Sequence, residues 1–205
     1  MRQTDPAAQR ALDQLVAAHQ ALFTFSCRLK VEAIGEKRRE SSTTTLAYQK
    51  PNKIRLEVAR EKAPRFLCVS DGTTRRVGSL KRKAEAGERA LVDAISEAQV
   101  LIAPLFLFLV SRSAPTRTLL PGTVKTLGFG NPLVLDGVPT EVVLADVATN
   151  SGTARLTLAM GKDDHLLRKL SIDASYKQET LSLVEVYTEV KANPSLNASL
   201  FVLPK

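Results

Sequence analysis

The spacing of apolar positions changes period three times along the chain. From Asp5-Pro6, an N-cap residue followed by a proline suited to a first helical position, Leu12, Leu15, Val16, His19, Leu22 and Phe23 recur at helical spacing. From Phe25 the period becomes 2. Phe25, Cys27, Leu29 and Val31 alternate with Ser26, Arg28, Lys30 and Glu32, which predicts a half-buried strand. After a turn at Gly35-Glu36-Lys37, Thr44, Leu46 and Tyr48 share one face. Lys50-Pro51-Asn52 breaks the run, and Ile54, Leu56 and Val58 resume the alternation. Phe66 to Ser70 forms a short apolar strand that ends at Asp71-Gly72, a strong hairpin signal, and Thr73 to Leu80 is placed to pair back on it.

Between Arg82 and Ser113 the pattern is helical again. Ala84 to Ala98 is Ala/Glu-rich with Leu91, Val92 and Ile95 on one side, and Val100 to Val110 is an uncharged run that contains Pro104. The uncharged run spans about 16 Å as a helix, against about 30 Å of hydrocarbon, so it predicts no membrane crossing. A helix apolar all round needs cover on more than one side. Pro104 is expected in its first turn, with Leu105, Phe106, Phe108 and Leu109 on one broad face. After Gly122 the strands return as Thr123 to Phe129, Val134 to Leu135, Thr140 to Val147, Thr153 to Met160, Leu166 to Tyr176 and Thr180 to Val190. Leu183 and Val184 fall on opposite faces of the last run, which points to a bulge. The class is α+β, one domain on a large curved sheet, antiparallel throughout, with its helices on the concave face. Its parts are an N-terminal helix (1–23), a first strand set (24–80), a helical lid insert (81–113) and a second strand set with the C-terminal segment (114–205).

Composition narrows the chemistry. The 205 residues carry a net charge of +8. Arg28 to Arg89 holds 17 Lys+Arg against 8 Asp+Glu, or +9, while the remainder, with 12 against 13, is −1. That stretch reads either as a docking face for an acidic partner or as a solvated strand face. With only two cysteines and two histidines in the chain, a structural zinc site is not expected. His19 and His165 lack a nucleophile context, Gly128-Phe129-Gly130-Asn131 lacks the lysine and helix of a phosphate loop, and Asp163-Asp164 sits in a turn without calcium-loop spacing. The expectation is a binding protein without catalytic residues, cofactor, metal or nucleic-acid partner. Cys27 and Cys68 read either as a strand-to-strand disulfide or as two buried thiols. No secretory signal pattern opens the chain.

Four segments, in this order, resemble the LolA/LolB-like superfamily of periplasmic lipoprotein carriers. They are Tyr48 to Leu56 with its basic-Pro-Asn turn, Leu67 to Thr74 with Val69-Ser70-Asp71-Gly72, the apolar Ala103 to Val110, and the closing Asn193-Pro194 to Phe201-Val202-Leu203-Pro204. The resemblance implies an incomplete β-barrel of about eleven antiparallel strands closed by helices. It also implies acyl chains of a lipid or lipoprotein held between sheet and lid, and export to the periplasm or cell envelope with the signal removed. The candidate ligand residues are Leu101, Ile102, Leu105, Phe106, Phe108 and Leu109 in the lid, facing Phe25, Leu29, Val31, Leu46, Tyr48, Ile54, Leu56 and Val58 on the sheet. Lys50 stands where the carrier has an arginine that latches the lid, and is the candidate latch here. The alternative is an envelope protein-interaction or regulatory module of the same fold, with a filled core, docking a protein partner through the basic stretch.

Overall fold

The computed structural model describes residues 3–36, 39–61, 63–77, 80–83, 91, 94–95, 119–120, 122–150, 152–176 and 179–203. Helix α1, Pro6–Ala21, begins where Asp5 Oδ1 accepts the Ala7 N–H at 2.8 Å, and Pro6 occupies its first turn. These features satisfy one orphan donor and remove another. Ala8, Ala11, Leu12, Leu15, Val16 and His19 form its buried stripe. Each fully buried leucine contributes about 1.5–3 kcal/mol, so the stripe rather than helix propensity holds α1 in place.

Thirteen strands among the described residues form one sheet. They are β1 (Gln3–Thr4), β2 (Thr24–Gly35), β3 (Arg39–Gln49), β4 (Lys53–Arg60), β5 (Ala63–Asp71), β6 (Thr74–Val77), β7 (Leu80–Lys83), β8 (Thr123–Phe129), β9 (Leu133–Leu135), β10 (Val138–Thr149), β11 (Gly152–Gly161), β12 (Leu167–Tyr176) and β13 (Glu179–Ala192). The order runs β1-β8-β10-β11-β12-β13-β2-β3-β4-β5-β6-β7, with β9 beside β10. The edges β1 and β7 are not paired to each other, so the sheet does not close into a barrel. Setting aside the very short β1 and β9, eleven antiparallel strands remain.

One pairing departs from expectation. Gln3 and Thr4 run parallel to β8, opposite Thr126 and Leu127, so the sheet is not antiparallel throughout. Asp5 N–H donates to Leu127 O at 2.9 Å, and the chain turns at once into α1. The direction of β1 is set by where the helix starts, and two residues carry no alternation to read.

The turns follow their sequence signals. Gly72 has φ 98°, and Asp136 and Gly137 have φ 52° and 75°. Positive φ at both central residues makes the second hairpin turn type I′, whose twist matches the flanking strands. A β13 irregularity does occur, but between Thr188 and Lys191, with Glu189 at φ 52°, while the register at Leu183 and Val184 is unbroken. The Lys50–Pro51 bond is cis, and Asn52 Nδ2 donates to Gly72 O at 2.9 Å, tying the β3–β4 turn to the β5–β6 turn.

The sheet must bend to share one core. Helix α1 starts against β8 and ends at the β3–β4 turn, where Lys50 Nζ donates to Gln20 O at 2.7 Å. Those strands lie six steps apart in the sheet. Six spacings amount to about 29 Å, against about 24 Å for the helix. A single buried cluster nevertheless joins α1 to β2–β5, β8 and β10–β13. On the opposite face, Asn193 Oδ1 accepts the Phe23 and Thr24 N–H groups at 2.7 and 3.2 Å. The closing segment then makes a 3-10 turn, Ala198–Phe201, against β4 and β5. Phe201 and the outward-facing Val69 are both buried there, and Arg55 Nη1 donates to Leu200 O at 3.3 Å.

Candidate apolar ligand site

Strand register gathers the inner-facing side chains into rows across the sheet. One row runs Val77, Cys68, Leu56, Leu46, Cys27. The next runs Phe66, Val58, Thr44, Leu29, Tyr187, and a third Ser70, Ile54, Tyr48, Phe25. The eight sheet residues read from the sequence therefore lie on one continuous face: Phe25, Leu29, Val31, Leu46, Tyr48, Ile54, Leu56 and Val58. All eight are buried. Because the side-chain period of a strand is 2 and the hairpins hold register, local alternation was enough to select them.

The proposed lid residues Leu101, Ile102, Leu105, Phe106, Phe108 and Leu109, and Pro104 with them, lie outside the described residues. Of the insert, Leu91, Ala94 and Ile95 are helical. Leu91 and Ala94 are fully buried in the same cluster as the sheet face, and Ile95 packs against it. The ammonium of Lys50, the candidate latch, bonds the last turn of α1 through Gln20 O. Carbonyls at a helix C-terminus favour such a cation.

The cysteine question is answered by register. Cys27 and Cys68 face the same way in one row but are separated by Leu46 and Leu56, three strand spacings or about 14 Å. A disulfide needs Cα atoms about 4.4–6.8 Å apart. Both are buried thiols, not joined to each other. Burial, and then the charge of Glu185, pushes the Cys27 thiol far above its ordinary value.

Several polar groups lie inside; the sequence pattern already puts His19 and Thr44 on buried faces but misses Glu185, Tyr187 and Arg168. Glu185 sits between Val31 and Leu170, fully buried, and Tyr187 donates its hydroxyl to Glu185 Oε2 at 2.5 Å. Burial first, then the Glu185 charge, raises the Tyr187 pKa well above its ordinary value. The signal is the odd-numbered set Leu183, Glu185, Tyr187, in which the glutamate breaks the apolar alternation. Arg168 is buried and bonded to Asp164 and to Leu166 O. The Thr44 hydroxyl, in the middle of the apolar face, has no hydrogen-bond partner among the described residues. His19 is fully buried, with Nδ1 2.8 Å from Leu15 O and its ring 6.2 Å from that of Phe25. Burial drives its pKa down to about 4 against the raising effect of the Leu15 bond, with Arg168 lowering it further.

No family profile matches the chain, and no curated protein matches its sequence. Solved structures do match its shape. MucB superposes with a TM-score of 0.57 at 12% identity over 98% of this chain, and MucB in the Pseudomonas aeruginosa MucA/MucB complex with 0.50 at 14% over 95%. LprF from Mycobacterium bovis superposes with 0.52 at 12% identity, covering 94% of this chain and 97% of LprF. The chain shares the fold of MucB and LprF. A LolA superfamily protein from Nitrosomonas europaea, NE2245, also aligns over 96% of the chain, at 10% identity and a TM-score of 0.35. The chain spans 64% of the length of MucB. At these identities the likeness is one of fold.

Proposed function

We propose that this protein binds acyl chains, of a lipid or of a lipoprotein, between the inner sheet face and the mid-chain insert. It acts as a carrier-like protein of the periplasm or cell envelope and not as an enzyme. One observation carries the reading. Eight apolar side chains from β2, β3 and β4 share one inner face, broken by the Thr44 hydroxyl, and Leu91 and Ala94 of the insert are buried in the same cluster. Each chain methylene transferred to such a surface gains about 0.8 kcal/mol, so a long acyl chain gains several. In this reading Leu101, Ile102, Leu105, Phe106, Phe108 and Leu109 supply the opposite wall, and Lys50 acts indirectly by holding α1 to the β3–β4 turn.

Organic extraction of the purified protein followed by mass spectrometry should return acyl chains. The Phe106→Asp variant should lose uptake of a fluorescent fatty acid, because an unpaired carboxylate would enter an apolar space. A thermal melt run in parallel shows that the variant is folded. A folded variant that takes up the probe as well as the parent does refutes the site.

A second reading, a protein-docking module, draws on the MucA/MucB complex. Its basic docking face is weakened by pairing on that face. Lys30 reaches Glu32 at 2.8 Å, Arg28 reaches Glu189 at 3.9 Å, and Glu57 is held by both Arg55 and Arg65.

A further inference from the structure

We propose that Thr44 is the polar anchor of the inner face. Its hydroxyl donates to the carbonyl oxygen of an ester- or amide-linked acyl chain, and so selects linked chains over bare hydrocarbon and free carboxylate. This rests on the inner-face reading and adds what the ligand must carry.

Thr44 sits in the middle of the face. Strand β3 is paired to β2 on one side and to β4 on the other, with Leu29 and Val58 directly opposite Thr44. Along β3 its neighbours on the same face are Ser42 and Leu46, since successive side chains alternate. Thr44 is 0% exposed, and its hydroxyl has no hydrogen-bond partner among the described residues. A filled apolar core gains nothing from this choice. Valine offers the same β-branched shape without a hydroxyl, and a hydroxyl buried without a bond destabilises the fold. A trapped water is a poor answer. It needs about two to four polar partners, and three of the four side chains around Thr44 are apolar.

The chemistry of the missing partner follows from the hydroxyl. In native backbones a donor without an acceptor is the rarer orphan, and the same electrostatics govern a hydroxyl hydrogen. The complement is therefore an acceptor. A linked acyl chain carries one, its carbonyl oxygen, whereas a bare hydrocarbon carries none. A free carboxylate also accepts, but Leu29, Leu46, Val58 and Ser42 give it no countercharge. An unpaired charge costs far more to bury than a neutral carbonyl. Tyr187, the next residue of the row beyond Leu29, already commits its hydroxyl hydrogen to Glu185 Oε2 at 2.5 Å. Thr44 is thus the hydroxyl of that row placed to receive a ligand group.

The test compares glycerol monopalmitate with its ether counterpart, hexadecyl glycerol, as displacers of a fluorescent fatty acid from the full chain. The two share chain length and headgroup and differ in the carbonyl. The parent should bind the ester roughly tenfold more tightly than the ether. Thr44→Val should bind both alike, with its affinity for the ether undiminished, and Thr44→Ser should keep the preference. Cooperative urea unfolding of each variant shows that it is folded. Infrared spectra of the bound ester with an isotope-labelled carbonyl should show a lower stretching frequency in the parent than in Thr44→Val. Ester and ether bound equally by the parent, a preference that survives in Thr44→Val, or identical carbonyl bands overturn the role of Thr44 while leaving acyl-chain binding standing. Binding of neither compound, nor of the fatty acid, overturns the inner-face reading and this assignment together.

Discussion

His19 makes stability depend on pH in a window where few other side chains titrate. Its Nδ1 faces a carbonyl oxygen, Leu15 O, which can only accept, so Nδ1 carries the proton. Nε2 then holds the lone pair, and it has no partner among the described residues. Adding a second proton would place a charge in the core with nothing to receive its N–H. That is why burial takes the pKa down to about 4 from 6.5. Between those values the unfolded chain binds a proton that the folded chain refuses, so stability falls as pH falls through the window. The full effect is absent above pH 6.5 and complete below pH 4. At about 1.36 kcal/mol per unit, the loss is roughly 3 kcal/mol, a large share of a typical 5–15 kcal/mol. Urea unfolding of the parent and of His19→Leu, measured at steps from about pH 7 to about pH 4, reads this directly. The carboxylates contribute equally to both proteins, so the difference between the two curves isolates the histidine. The gap should shift in favour of His19→Leu by roughly 3 kcal/mol across the range. Parallel curves would refute the claim that the ring is buried neutral under α1.

Other consequences can be checked separately. Thr44→Val removes a buried hydroxyl without a partner at nearly constant volume, so the unliganded protein should gain about 1 kcal/mol in denaturant unfolding. Gly72→Ala forces a side chain into φ 98°, with its Cβ about 3.1 Å from Asn52 Oδ1, and should cost about 1–2 kcal/mol. Neither thiol should react with a thiol reagent in the native protein, since both are buried; two equivalents should appear only on unfolding. Formation of an intramolecular Cys27–Cys68 disulfide without loss of structure would contradict the register.

Much of this molecule was legible along the chain because the deciding interactions are local. Alternation in β2, β3 and β4 told inner from outer, since a strand's side-chain period does not depend on its neighbours. Asp71-Gly72 and Asp136-Gly137 marked their hairpins because only particular residues tolerate positive φ. The Asp5-Pro6 start of α1 followed from orphan N–H groups that any helix has. What the tertiary structure decided is what depends on residues far apart in sequence. The pairing of β13 with β2, across some 150 residues, turned Glu185 and Tyr187 inward beside Val31 and Leu29. The rank of strands between them kept Cys27 from Cys68, although each lies on an inner face. Lys50 found a helix end 30 positions earlier in the chain. Gln3 and Thr4 came to lie parallel to β8, opposite Thr126 and Leu127. Each of these follows from which strand lies beside which, a long-range choice made by burial of the whole apolar face rather than by any single segment.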